Sequence, residues 1–424
     1  MSNQTLISGP ENVIRIEGKI NNVKKILYLF FDIHLPLLTQ THCDEDKIYD
    51  VVNYFVDNFE SNSSDPKDKI NFFLEIESAI ERNESSFNEN RNTVNPMFRT
   101  ELYNMHIERV RNFFVRHFNF DPAKNLVLPS KIYKNVYFHF TDLRWTFSRI
   151  FNLREDIFSL INESSINNLY VLNEKMIVLY QYINTDYNFI YNTSQDNAKK
   201  RIKGENNVEP KMVNLQKVRQ MSDYDVSTLM YKYIYKILYD INNVEVKKVI
   251  NQLIDKTIKK EFETIMNLLN NVINECIKMD VMQQEYIKKN GKIYSYECKT
   301  SLAFGRTRED DEKFICEIKN KLTKAFEIIS GTYAELMDCY FLRRFLDKNY
   351  ATKNLVYSGS FHCANYIAIL VKYFGFEITH YSYLKYDVNK SMKMLKDGDC
   401  GYEIMIANKG YQCSNLTGFP KNFE

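Results

Sequence analysis

Asp32, His34, Glu75, His139, Asp142, Arg144 and His362 stand at or near the ends of four short apolar runs. These are Ile26–His34 (ILYLFFDIH), Ile70–Glu77 (INFFLEIE), Val136–Arg144 (VYFHFTDLR) and Asn354–His362 (NLVYSGSFH). Aliphatic and aromatic runs of this length read as buried parallel strands. In open α/β sheets ligands gather at the carboxyl ends of such strands, so the polar groups are expected to converge on one site.

Each group has a chemical reading and a plainer one. Asp32 and His34 are two residues apart, which puts both side chains on one face of a strand, as an acid–base pair or as metal ligands. The plainer reading is an Asp that caps the next helix and a His bonded to backbone. Glu75 lies inside FFLEIE, and a buried carboxylate is costly unless a cation or metal accompanies it. Alternatively it faces solvent at a sheet edge. His139 shares a face with Thr141. Arg144 could clamp a carboxylate or phosphate, pair with Glu75, or form a structural pair with Asp142. Gly359 lets the backbone turn tightly between strand and helix and lets a ligand approach. His362, near the positive end of that helix, is then favoured in its neutral, ligating form. Ser358 and Ser360 lack the Gly-x-Ser-x-Gly context of a serine hydrolase.

The surrounding pattern supplies the elements that must position these groups. Alternation through Val13, Arg15, Glu17 and Lys19, with a turn at Asn21-Asn22, predicts an antiparallel edge ribbon leading into the first apolar run. A helix is expected over Ile48–Phe59, as in the opening of a βαβ unit. The polar stretch 77–96 would lie where a lid could cover Glu75, and an amphipathic helix follows over 99–118. From about residue 149 to 348 apolar residues recur every three or four positions, and exposed breaks are expected at 194–210 and 290–313. Strand pattern returns near Leu355, followed by a helix over Ala364–Phe374, a stop at Gly375 and a strand over Phe376–Tyr381. Residues 397–424 read as loop.

The expected fold class is therefore α/β: a mixed, mainly parallel sheet flanked by helices, made from residues 1–148 and 349–424. A large helical insertion or second domain occupies 149–348.

Composition narrows the partners. The chain has 56 basic and 54 acidic residues, a formal charge of +2, so no global field draws it to nucleic acid or an anionic membrane. Tyr231, Tyr233 and Tyr235 near Lys232 and Lys236 invite a base-stacking reading, but helical spacing explains them and no specific nucleic-acid motif is present. Met1 to Pro10 does not read as a signal peptide, and no run approaches membrane-spanning length. The dispersed cysteines contain no Cys-x-x-Cys pair, and a reducing, cytoplasmic setting is the simplest reading.

Taken in order, a strand ending in His34, a later strand containing Glu75 and the segment NLVYSGSFHCANYIAILVKYFGFEITHY resemble the TIKI/TraB, ChaN and erythromycin esterase-like superfamily. The chain is also similar to uncharacterised proteins of mimivirus-like giant viruses. The superfamily resemblance implies a pocket lined by two Gly-x-x-His motifs and a glutamate, with hydrolase activity that is metal-dependent in several members. It makes His34 and His362 the two histidines and Glu75 the glutamate; in the leading reading the histidines bind a metal, Glu75 is the base for a bound water and Arg144 holds developing negative charge. Asp32 and His139 are further candidate ligands for a divalent metal, Asp142 a further catalytic candidate, and Gly359 a cofactor-approach position. Phe31 stands where the first motif expects glycine. The substrate would be a small molecule or peptide. A non-catalytic binding or virion-associated protein that keeps the fold is the alternative, with the helical region as a surface for a partner or oligomer and the host cytoplasm or virion as its location.

Overall fold

A computed structural model describes residues 5–35, 48–61, 69–77, 105–115, 117–118, 120–121, 126–127, 129–162, 169–202, 223–290, 308–348, 351–407 and 412–424. The expected lid over 77–96 lies, from residue 78 onward, outside the described residues. The chain divides into two compact units, one made of Met1–Leu143 and Phe341–Glu424, the other of Arg144–Tyr340.

The first unit is mixed α/β. Its strands are β1 (Leu6–Ser8), β2 (Asn12–Ile20), β3 (Val23–Asp32), β4 (Ile48–Asp50), β5 (Ile70–Glu77), β6 (Phe120–Asp121), β7 (Leu126–Val127), β8 (Val136–Asp142), β9 (Lys353–Gly359), β10 (Glu377–Tyr381) and β11 (Cys413–Asn415). Among the described residues six of them form the main sheet, in the order β10-β2-β3-β9-β5-β8, and a small sheet has the order β11-β1-β4. β2 and β3 are joined by Asn21 and Asn22, both at positive φ (49° and 63°), the backbone that a tight hairpin of right-handed twist requires. β10 runs antiparallel to β2 on the outside, so the ribbon is covered rather than at the edge as its alternation suggested.

β3, β9, β5 and β8 run parallel, which aligns their carboxyl ends along one edge. Both faces of these strands are buried, and that explains their nearly unbroken apolar sequence. One face carries Tyr28, Phe30, Ile70, Phe72, Leu74, Phe138, Leu355 and Tyr357, packed with Val51, Phe55 and Phe59 of the helix Val51–Ser61 and with Ile107 and Val110 of the helix His106–Val115. The opposite face meets the helix Ser360–Phe374, which is stopped by Gly375 in the left-handed conformation at φ 64°. The helix Ser360–Phe374 begins earlier than the Ala364 that periodicity gives it, whereas Val51–Ser61 begins later than Ile48 because residues 48–50 form a strand.

Two further segments depart from expectation. Gln195–Ile202 is helical inside the stretch read as an exposed break, and Gly401–Met405 and β11 give structure to the tail read as loop. Phe423 is fully buried, its ring edge-on to Tyr28 at 5.3 Å. Cys413 is disulfide-bonded, whereas Cys276, Cys316, Cys339, Cys363 and Cys400 are free.

The second unit is helical among its described residues. It includes Ser148–Asn162, Leu169–Tyr191, Asp223–Tyr239 and a long run from Val244 to Asn290 interrupted by a π turn at Ile254–Ile258. A 40-residue helix, Arg308–Asp347, follows. At its centre Asp186 is completely buried and accepts from Arg149 at 2.5 Å and from the Tyr333 hydroxyl at 2.7 Å. Burial raises the Asp186 pKa above its ordinary value, against the opposing pull of Arg149 and Tyr333.

Candidate functional site

The aligned carboxyl ends of β3, β9 and β5 bring together Asp32, His34, Gly359 and Glu75. Pleat parity puts Asp32 on the sheet face of Phe30 and Tyr357, and Glu75 on the opposite face with Ser358. His34 joins the two. The chain leaves β3 at Asp32, and His34 takes a positive φ of 52°, which folds its ring back over the strand end. The imidazole is therefore not on one strand face with Asp32, as period-two spacing suggests; a turn makes the contact.

Asp32 Oδ2 accepts from His34 Nδ1 at 2.5 Å and from the His34 backbone N–H at 2.8 Å. Its other oxygen accepts from the Tyr357 hydroxyl at 2.9 Å. On the far side of the ring, His34 Nε2 lies 3.5 Å from Glu75 Oε1. Glu75 Oε2 is fixed by Ser358 Oγ at 2.8 Å and the Gly359 N–H at 2.6 Å. Asp32 and Glu75 are buried, while the His34 side chain keeps 33% of its surface open. Burial lowers the imidazole pKa, but the hydrogen bonds and charges of Asp32 and Glu75 outweigh it and raise it from 6.5 to about 9. With a carboxylate oxygen facing each nitrogen, His34 is an imidazolium at neutral pH.

Gly359 completes the arrangement. A Cβ there would stand 3.3 Å from both Glu75 Oε2 and His34 Nε2, tighter than ordinary contact. The glycine is required by this crowding and not by its backbone, whose φ is −52°.

Three residues that spacing alone did not reveal complete the surroundings. Tyr357 is one; burial and then Asp32 keep its hydroxyl protonated far above the usual range, so it serves as a donor to Asp32. Ser360 opens the helix after β9, and its hydroxyl lies against both the Glu11 carboxyl and the Asp32 carbonyl oxygen. Glu11, buried just before β2, has its pKa raised to about 7, first by burial, against the Ser360 hydrogen bond, and also by the charge of Asp32. Its sequence signal was slight: one glutamate beside a Gly-Pro turn.

His139 lies apart from this cluster. His139 is buried inside the sheet, with Nδ1 accepting from Arg344 at 2.9 Å and Nε2 donating to Asn71 Oδ1 at 3.0 Å. Asn71 donates in turn to Asn354 at 2.8 Å, and Asn354 to the carbonyls of Ile26 and Thr352 at 3.0 Å. Burial, then Arg344, hold His139 neutral, and both its nitrogens are used, so it is a structural histidine. His362 lies one step along the helix, buried, its ring stacked towards Tyr366 at 6.2 Å between centroids. Asp142 ends β8 and is buried, and Arg144 begins the second unit.

Among the described residues no group of three His, Cys, Asp or Glu is placed to hold a metal ion. Of the candidate ligands, His139 has both ring nitrogens taken, by Arg344 and by Asn71.

An α/β sheet with a buried carboxylate–histidine–carboxylate row at its carboxyl edge defines the class of protein. Residues 5–424 match the family described as "Family of unknown function (DUF5847)", and the chain belongs to that family. It is 31% identical to the uncharacterised protein R161 of Acanthamoeba polyphaga mimivirus, over 99% of this chain and 98% of that protein. Two others of that virus, the uncharacterised proteins R706 and R160, are 29% and 30% identical and are likewise covered almost end to end. No solved structure matches. These matches bear out the likeness to giant-virus proteins and add no support to a place in the TIKI/TraB, ChaN and erythromycin esterase-like superfamily. Among the described residues no helix is long and apolar enough to cross a membrane.

Proposed function

We propose that this protein is a hydrolase-like enzyme whose acid–base pair is His34 and Glu75, with Asp32 orienting the imidazole. One observation carries the reading: a partly open imidazole nitrogen faces a buried carboxylate oxygen at 3.5 Å over a glycine that leaves room beside them.

In this mechanism the Nε2–H of His34 gives its proton to the leaving-group oxygen as the scissile bond breaks. Glu75 Oε1 takes a proton from the attacking water, whose oxygen bonds to the electrophilic centre. The proton then returns from Glu75 to His34 across the gap, restoring the starting state. Asp32 holds the tautomer and stabilises the imidazolium, and Tyr357 holds Asp32.

The test is a panel of chromogenic esters, phosphate esters, glycosides and peptides, offered to the wild type, His34→Asn and Glu75→Gln, with and without chelator. The reading expects hydrolysis of one class, unaffected by chelator, and a loss of about 100-fold or more in each variant, the usual share of a general acid or base. Hydrolysis unchanged in both variants would overturn the assignment to His34 and Glu75, and no turnover of any class would overturn the reading in favour of the non-catalytic binding protein. Turnover abolished by chelator would instead restore the metal-dependent version.

A further inference from the structure

Ser360 has one hydroxyl proton and two acceptors. Its Oγ is hydrogen-bonded to the Asp32 carbonyl oxygen at 3.1 Å and to Glu11 Oε1. A backbone carbonyl can only accept, so Ser360 must donate to Asp32 if that bond is made. The Glu11 oxygen must then bring its own proton, because an ionised carboxylate would compete for the same hydroxyl. With a neutral Glu11 each of the two contacts has a proton of its own.

We infer that Glu11 is held as a neutral carboxylic acid that donates to Ser360, so that Ser360 can tie the Asp32 carbonyl to the start of the helix Ser360–Phe374. Glu11 is thereby a positioning residue for the site. The tie joins three chain segments: the approach to β2, the end of β3 and the β9-to-helix turn. A second tie acts beside it, the Glu11 backbone N–H donating to the Phe31 carbonyl at 2.9 Å. Glu11 is 5% exposed, so water cannot readily replace either partner.

The charged group whose field reaches Glu11 is Asp32, and it opposes ionisation. Loss of the Glu11 proton turns the carboxylate into an acceptor, draws the Ser360 hydroxyl to it and leaves the Asp32 carbonyl without its donor. The end of β3 that carries His34 is then held less firmly. This device responds to pH near neutrality, where the burial-raised carboxyl titrates. The positioning role rests on the acid–base reading of His34; the protonation of Glu11 does not.

Infrared difference spectra of the wild type minus Glu11→Gln, together with NMR titration of the His34 ring, test the inference. Glutamine keeps the donor towards Ser360 at every pH. A protonated-carboxyl band is expected in the wild type at pH 6, lost in Glu11→Gln and bleached as pH rises through about 7. The His34 resonance is expected to show a second inflection in that range, removed in Glu11→Gln and in Ser360→Ala. Should Glu11→Gln fail to fold, the wild-type band and its shift in Ser360→Ala give the same reading. Absence of the band at pH 6 would overturn the neutral acid, whatever the hydrolysis panel shows. A band present with identical His34 titrations in all three proteins would overturn the positioning role, while leaving His34 as the acid.

Discussion

Asp32 grips His34 at two points: its Oδ2 accepts both the ring Nδ1 at 2.5 Å and the backbone N–H at 2.8 Å of the residue two positions later. Such a grip is geometrically impossible in a continuing strand, and the positive φ of His34 makes it available. The strain of that backbone is small beside the gain from a charge-assisted pair, so orientation of the ring and ending of the strand are one event.

Asp32→Asn should therefore lower the His34 pKa from about 9 by at least one unit, since the amide removes one charge while Glu75 still faces Nε2. NMR titration of the ring reads it directly. A pKa that stays near 9 would assign the shift to Glu75 alone.

At Gly359 the expectation concerns space. Gly359→Ala should keep the fold to within about 1 kcal/mol, because φ is ordinary there and alanine is only a modestly poorer N-cap than glycine, yet displace His34 from Glu75. The signature is a lowered His34 pKa with an unchanged melting temperature. A large drop in melting temperature with His34 unaltered would refute this account.

His139 was expected at the site and belongs to the sheet interior. His139→Ala should cost on the order of 2–4 kcal/mol, by stranding Arg344 and Asn71, while the His34 titration stays as in the wild type. Chemical denaturation and the NMR titration, made on the same sample, separate the two effects.

Much of this site was legible from where the apolar runs stop. Asp32, Glu75 and Gly359 were named from strand ends, and parallel pairing does place those ends side by side. Strand order was not legible, because β9 inserts between β3 and β5 from more than 270 residues away in the chain. His139 misled because an unbroken apolar run conceals whether its one polar member sits at the end or within; here it pairs with Phe73, two rows below Glu75. His362 stands in the first turn of a helix that starts at Ser360, earlier than periodicity places it, with its ring stacked towards Tyr366. Glu11 and Tyr357 were missed since neither lies at a strand's carboxyl end in a way that spacing marks.

The pH dependence of stability follows from Glu11. Its folded pKa, about 7, lies above the ordinary value of 4.5, so the neutral acid's contribution is complete below pH 4.5 and is lost as pH rises through 7. Glu11→Gln should remove that decline and leave the protein more stable than the wild type above pH 7, by up to about 3 kcal/mol. Denaturation curves at pH 5 and 8 measure it. Parallel pH profiles for the two proteins would contradict it.

The central claim is that His34 is a proton-carrying imidazolium held between two carboxylates. Nitrogen-15 NMR of the His34 ring in the full chain, followed from pH 5 to 10, tests it most directly. The account predicts both ring nitrogens protonated at pH 7 and a midpoint near 9. A neutral ring at pH 7 with a midpoint at or below 6.5 would contradict it.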